Sequence, residues 1–136
     1  MTLFKKKPTL GIIHCSATKE GKNFDANDIN IWHRARGWSG IGYHIVILLD
    51  GTVEYGRSLN HKGAHCKYLN HKSIGICYIG GLDKDGKPKD TRTLKQKESL
   101  IAVVDALKID YPNMTFHGHN EFSNKACPSF DVSKEF

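Results

Sequence analysis

Short apolar runs separated by long polar stretches set the layout of this chain. The first run, Leu10-Gly-Ile-Ile-His-Cys15, is brief and β-branched and predicts a strand. From Asp25 to Arg36 the spacing of Ile29, Trp32, His33 and Arg36 is helical, and Gly37 stops it. Gly42 to Leu49 is too rich in β-branched residues for a helix and predicts a second strand. Asp50-Gly51 is a hairpin turn signal, so Thr52-Val-Glu-Tyr55 is the returning strand. Gly56 to Lys72 is a long polar loop carrying His61, His65 and His71, and loops of that length are usually functional or disordered. Ser73 to Ile79 predicts a buried strand, and Asp83 to Pro88 a turn. Thr93-Leu-Lys-Gln96 forms a capping box that opens a helix to about Ile109, with Leu100, Val103, Val104 and Leu107 inward. Pro112 ends it. Thr115 to His119 is a last short strand, and the remainder is loop with one helical turn.

The order β, α, β-hairpin, β, α, β predicts an α/β fold, a single-layer mixed sheet flanked by helices. No repeat or linker divides the chain, so residues 1–136 are expected to be one domain, a length that buries a real core without staples. No apolar run approaches the roughly 20 residues that span a bilayer. The basic start, Met1 to Pro8, has no apolar segment behind it and does not read as a secretory signal. The expectation is therefore a monomer made in the cytoplasm, without membrane insertion.

Charge changes the picture little. Twenty basic residues against fourteen acidic give +6, which favours anionic partners such as nucleic acid or an anionic wall polymer. The lysines read as scattered, without the aromatic-interleaved stripe of single-strand binders. Of four cysteines, Cys15 and Cys77 lie in apolar runs and read as core; no CxxC pair suggests a zinc ribbon.

The histidines and Cys127 carry the candidate chemistry. Zinc takes imidazole and thiolate together, and a catalytic site needs three protein ligands and one open position. His14 ends the first strand, where α/β folds place sites. His117 and His119 are two apart on the last strand, which aims both at one face. Cys127 sits in a polar loop before Pro128, an unusual setting for an inert thiol. The shortlist is His14, either His117 or His119, and Cys127. Tyr43, Lys125, Trp32, Trp38 and Glu54 each have a plain structural explanation in isolation: a strand residue capping the core, a solvated loop lysine, two core tryptophans and a solvated strand residue. No carboxylate pair is arranged for glycosidase chemistry.

In combination, the motifs resemble a known family. They are His14-Cys-Ser-Ala-Thr18, Ile31-Trp-His33, Gly37-Trp38, Gly42-Tyr-His44, Asp50-Gly-Thr-Val-Glu54, Asn70-His71, Ser73-Ile-Gly75, Gly80-Gly81, His119-Asn-Glu121 and Lys125-Ala-Cys-Pro-Ser-Phe-Asp131. Together they are similar to the zinc-dependent N-acetylmuramoyl-L-alanine amidases of the short T-odd phage lysozymes, whose fold peptidoglycan-recognition proteins share. The resemblance implies Zn2+ held by His14, His119 and Cys127, since the family's HxExxxKxC spacing begins at His119. It implies catalytic roles for Tyr43 and Lys125, a substrate-binding role for His65, and bacterial peptidoglycan as substrate, reached after the membrane is permeabilised. Two other classes stay in view. One is a wall-recognition module that cuts nothing, against which Cys127, Tyr43 and Lys125 stand. The other is a partner of a phage-type RNA polymerase, for which no motif here provides a contact.

Overall fold

The computed structural model describes residues 2–136. Its centre is β1 (Leu10–Cys15), which pairs in parallel with β5 (Ser73–Tyr78) on one side and β7 (Thr115–Gly118) on the other. β3 (Ile45–Ile47) lies parallel to β5, and β4 (Val53–Tyr55) closes the edge antiparallel to β3. The five strands run in the order β4-β3-β5-β1-β7, the mixed sheet expected. Two short strands not expected from the sequence, β2 (Thr18–Lys19) and β6 (Gly81–Leu82), form a separate parallel pair. No helix among the described residues is long and apolar enough to cross a membrane.

The period-2 alternation of the strands feeds a core on each face of the sheet. Ile13, Ile45, Ile47, Ile74, Ile76 and Tyr78 face α2 (Leu94–Asp110), where Leu100, Val103, Val104 and Leu107 meet them. Val46, Cys77 and Ile79 face the opposite way, onto Ile29 of α1 (Ala26–Ala35). Each fully buried aliphatic side chain contributes about 1.5–3 kcal/mol, so the burial of β1, β3 and β5 on both faces accounts for their apolar, β-branched composition.

Helix boundaries follow from caps. Thr93 and Gln96 form the expected capping box. Gln96 also donates to the carbonyls of Ile47 and Ile79 at 3.3 and 2.9 Å, tying α2 to the strand ends. Asp25 and Asp28 form a second capping box on α1. There the backbone N–H of Ala26 donates to Glu54 Oε1 at 2.9 Å. Glu54 is therefore not merely solvated: its carboxylate serves the positive end of α1.

Four strands are shorter than expected, β4 only by Thr52. Gly42 and Tyr43 precede β3 because their backbone serves the neighbouring loop and helix, whereas His44 N–H already donates to the Gly75 carbonyl of β5 at 2.9 Å. Gly42 N–H donates to His33 Nδ1 at 2.9 Å, and Gly42 accepts from Ala64 N–H. β5 ends at Tyr78 because Gly80 and Gly81 adopt φ of +132° and +99°. β7 ends at Gly118, and His119 opens a 3₁₀ turn. The loop from Gly56 to Lys72 is ordered by buried polar groups. Arg57 donates to the carbonyls of Ile41 and Lys62, and Asn70 Oδ1 accepts from the backbone of His65 and Cys66.

Candidate active site

His14 is the last residue but one of β1, on the α1 face, and its side chain is buried. The parallel pairing of β1 with β7 brings the turn after β7 alongside, so the His14 and His119 rings lie 4.6 Å apart between centroids. Cys127 reaches the same place from the C-terminal loop. Its Sγ accepts from the backbone N–H of Cys15 at 3.1 Å. That loop is held from below, since the buried Tyr78 hydroxyl donates to the Pro128 carbonyl at 2.6 Å. The outcome is a cluster in which the ligand atoms of His14, His119 and Cys127 all lie within 4.8 Å of one another.

His117 is not in this cluster. The sequence expectation that His117 and His119 share a strand face fails because the strand stops between them. His117 instead contacts Thr115 Oγ1 at 2.8 Å and Glu121 Oε1 at 3.2 Å.

The cluster suits a cation. Burial, followed by the neighbouring imidazoles of His65 and His119 and the Lys125 ammonium, pushes His14 well below the usual histidine range. Burial and then Lys125 also lower His119. Both rings are thus neutral and able to ligate. The Cys15 thiol beside it and burial hold the Cys127 thiol high, a tendency that a bound cation would reverse. Two imidazoles and one thiol, from a strand end, a turn and a loop, leave one coordination position open. This donor set fits zinc in a catalytic rather than a structural arrangement.

The cluster floors a cleft of about 620 Å³. Tyr43 stands on one wall, its ring 5.1 Å from that of His14. Burial first, then the nearby thiols of Cys77, Cys127 and Cys15, pushes its phenol well above the ordinary tyrosine range, so it stays protonated. Lys125 is an exposed residue of the rim. His65 lines the cleft and also contacts His14, Nδ1 to Nε2 at 2.8 Å; burial holds it down to about 3. The six residues that the family resemblance implies therefore all meet here, and His117 does not.

The structure adds others. Trp38, expected in the core, is 37% exposed and lines the cleft, its ring 4.6 Å from that of His33 and under the Arg36 guanidinium. Gly37, at φ +86°, turns the chain back after α1 and so places Trp38 there. That helix-stopping glycine followed by a tryptophan was the available signal. Arg36 and Lys67 join Lys125 around the cleft, whose lining contains no carboxylate. The lysines are also less scattered than the sequence suggests. Lys5, Lys6, Lys7, Lys62 and Lys72 gather around a second cavity of about 550 Å³.

Residues 4–130 match the family described as N-acetylmuramoyl-L-alanine amidase, Amidase_2. The chain belongs to that family. It is 43% identical to the endolysin of Escherichia phage T7 over 122 residues, covering 90% of this chain and 81% of that protein. Among solved structures it resembles the N-acetylmuramoyl-L-alanine amidase LysC from Clostridium intestinale, with a TM-score of 0.79 and 29% identity over 96% of this chain and 86% of that one. A bumblebee peptidoglycan-recognition protein, PGRP-SA, superposes with a TM-score of 0.83 and 26% identity over 99% of this chain and 83% of that one. The chain is an amidase of this family, with the α/β fold of phage amidases and peptidoglycan-recognition proteins.

Proposed function

We propose that this amidase is a zinc-dependent endolysin that hydrolyses the amide between N-acetylmuramic acid and L-alanine in peptidoglycan, acting as a single monomeric domain released from the cytoplasm at lysis. The convergence of His14, His119 and Cys127 within 4.8 Å supports the zinc dependence. The endolysin likeness supports the substrate. Zinc bound there supplies Lewis acidity and an activated water near neutral pH.

The chain's own residues do the rest. Tyr43, kept protonated by burial, donates its phenol hydrogen to the substrate's carbonyl oxygen as that oxygen gains charge. Lys125 brings an ammonium close enough to lower His14 and His119, and the same charge stabilises the developing oxyanion. His65 and Trp38 form walls against which the glycopeptide lies, and Arg36 and Lys67 attract its anionic groups.

Tyr43→Phe and Lys125→Ala test the roles. Each should retain zinc and lower kcat on purified wall by roughly 100-fold or more, the usual loss for an oxyanion donor. Loss of the metal in either variant would show that the residue supports the site rather than the reaction.

A further inference from the structure

The ring of His14 also touches an imidazole that is not one of the three clustered ligands. Its Nε2 lies 2.8 Å from Nδ1 of His65, and the two rings meet at 88°. His65 Nε2 lies 3.3 Å from Ser73 Oγ. Ser73 Oγ in turn lies 2.7 Å from the Leu69 carbonyl oxygen. We propose that His65 and Ser73 are positioning residues that lock His14 in the tautomer protonated on Nε2 and so leave Nδ1 for the metal. The metal part rests on the zinc assignment above.

Every proton in the chain is fixed by its last member. A carbonyl oxygen only accepts, so the Ser73 hydroxyl hydrogen points at Leu69. Ser73 Oγ then has only lone pairs for His65, and His65 Nε2 must carry the hydrogen. A neutral imidazole has one N–H, which leaves His65 Nδ1 bare as an acceptor. The hydrogen between the two rings therefore belongs to His14 Nε2. The lone pair of His14 then sits on Nδ1, free to ligate.

The packing allows no alternative to drift in. Ser73 is fully buried, so water does not compete for its hydroxyl. A Cβ on Gly75 would stand 2.6 Å from the His65 ring, as would one on Gly63. The missing side chains are what let the ring lie flat on β5. The backbone of His65 is itself pinned, its N–H donating to Asn70 Oδ1 at 2.9 Å. Outer hydrogen bonds of this kind orient ligand imidazoles, and their loss typically weakens metal binding roughly 10- to 100-fold.

Two readouts on the full chain test this. The first is the tautomer of His14 in metal-free protein, from long-range ¹⁵N–¹H correlation. The second is zinc affinity, from competition with a chelator of known strength. Wild type should show His14 protonated on Nε2. His65→Leu should lose that preference and bind zinc roughly 10- to 100-fold more weakly. His65→Asn, whose Oδ1 replaces the Nδ1 acceptor, should stay within a few-fold of wild type. Ser73→Ala should fall between them. A wild-type His14 protonated on Nδ1 overturns the proposal, even if the variants fail to fold. So does a folded His65→Leu with unchanged affinity, or a His65→Asn as damaged as His65→Leu. A wild type that takes up no zinc overturns the metal assignment instead, and the Nε2 proton in that protein would still support the relay.

Discussion

Tyr78→Phe separates one hydrogen bond from everything else that Tyr78 does. The ring is buried in the α2-side core and packs 6.2 Å from Phe130, and phenylalanine keeps both contacts. Only the hydroxyl goes, and with it the 2.6 Å bond to the Pro128 carbonyl. Pro128 is itself buried, so its oxygen loses that donor where water does not readily replace it. Leaving such a group unsatisfied costs about 1–3 kcal/mol. For a chain of this length that corresponds to a fall in Tm of roughly 3–15 °C. The same bond anchors the residue after Cys127, so zinc affinity should also fall. The assay is thermal unfolding by circular dichroism, with chelator and with excess zinc, beside a competitive zinc titration. An unchanged Tm refutes the energetic reasoning. A lower Tm with unchanged zinc affinity refutes the coupling between core and site.

Three other outcomes follow from the same geometry. His44 is fully buried, donates from Nε2 to the His61 carbonyl, accepts at Nδ1 from Gly75 N–H, and is held by burial at about 4. A depressed histidine contributes fully above its unfolded value near 6.5 and loses that contribution as pH falls towards 4, so this ring alone should remove about 2 kcal/mol between pH 7.5 and 5. Urea midpoints across that range check it, and flat stability would contradict it. Glu54→Ala takes the carboxylate from the N-terminus of α1 and should cost about 1 kcal/mol in urea unfolding; no loss would return Glu54 to a solvated role. Gly75→Ala drives a methyl into the His65 ring and should cost about 1–3 kcal/mol while weakening zinc binding; a variant with wild-type values would show that the ring has room to move.

What the sequence revealed depended on how local the cause was. β1, α1 and α2 were legible because strand composition, helical spacing and the Thr93–Gln96 box act within a few residues. The end of β7 was not, since one residue decides whether His119 follows the strand period or leaves it. The ligand cluster exists only because β1 and β7, about a hundred residues apart, pair in parallel. Spacing alone proposed its members without choosing between two histidines. Glu54 and Trp38 looked ordinary because their partners, Ala26 and the cleft, are set by tertiary packing. The same holds for His65, whose contact with His14 crosses from loop to strand, and for the lysines that meet around the second cavity.

The central claim is a zinc-dependent cut at one amide bond. Mass spectrometry of fragments released from purified peptidoglycan tests it most directly, on enzyme as prepared, after chelation, and after zinc is restored. A zinc-dependent amidase should release peptides beginning with a free L-alanine amine, lose them on chelation and release them again with zinc. Release that persists in fully metal-free protein, or fragments cut between sugars with the peptide still attached, would contradict it.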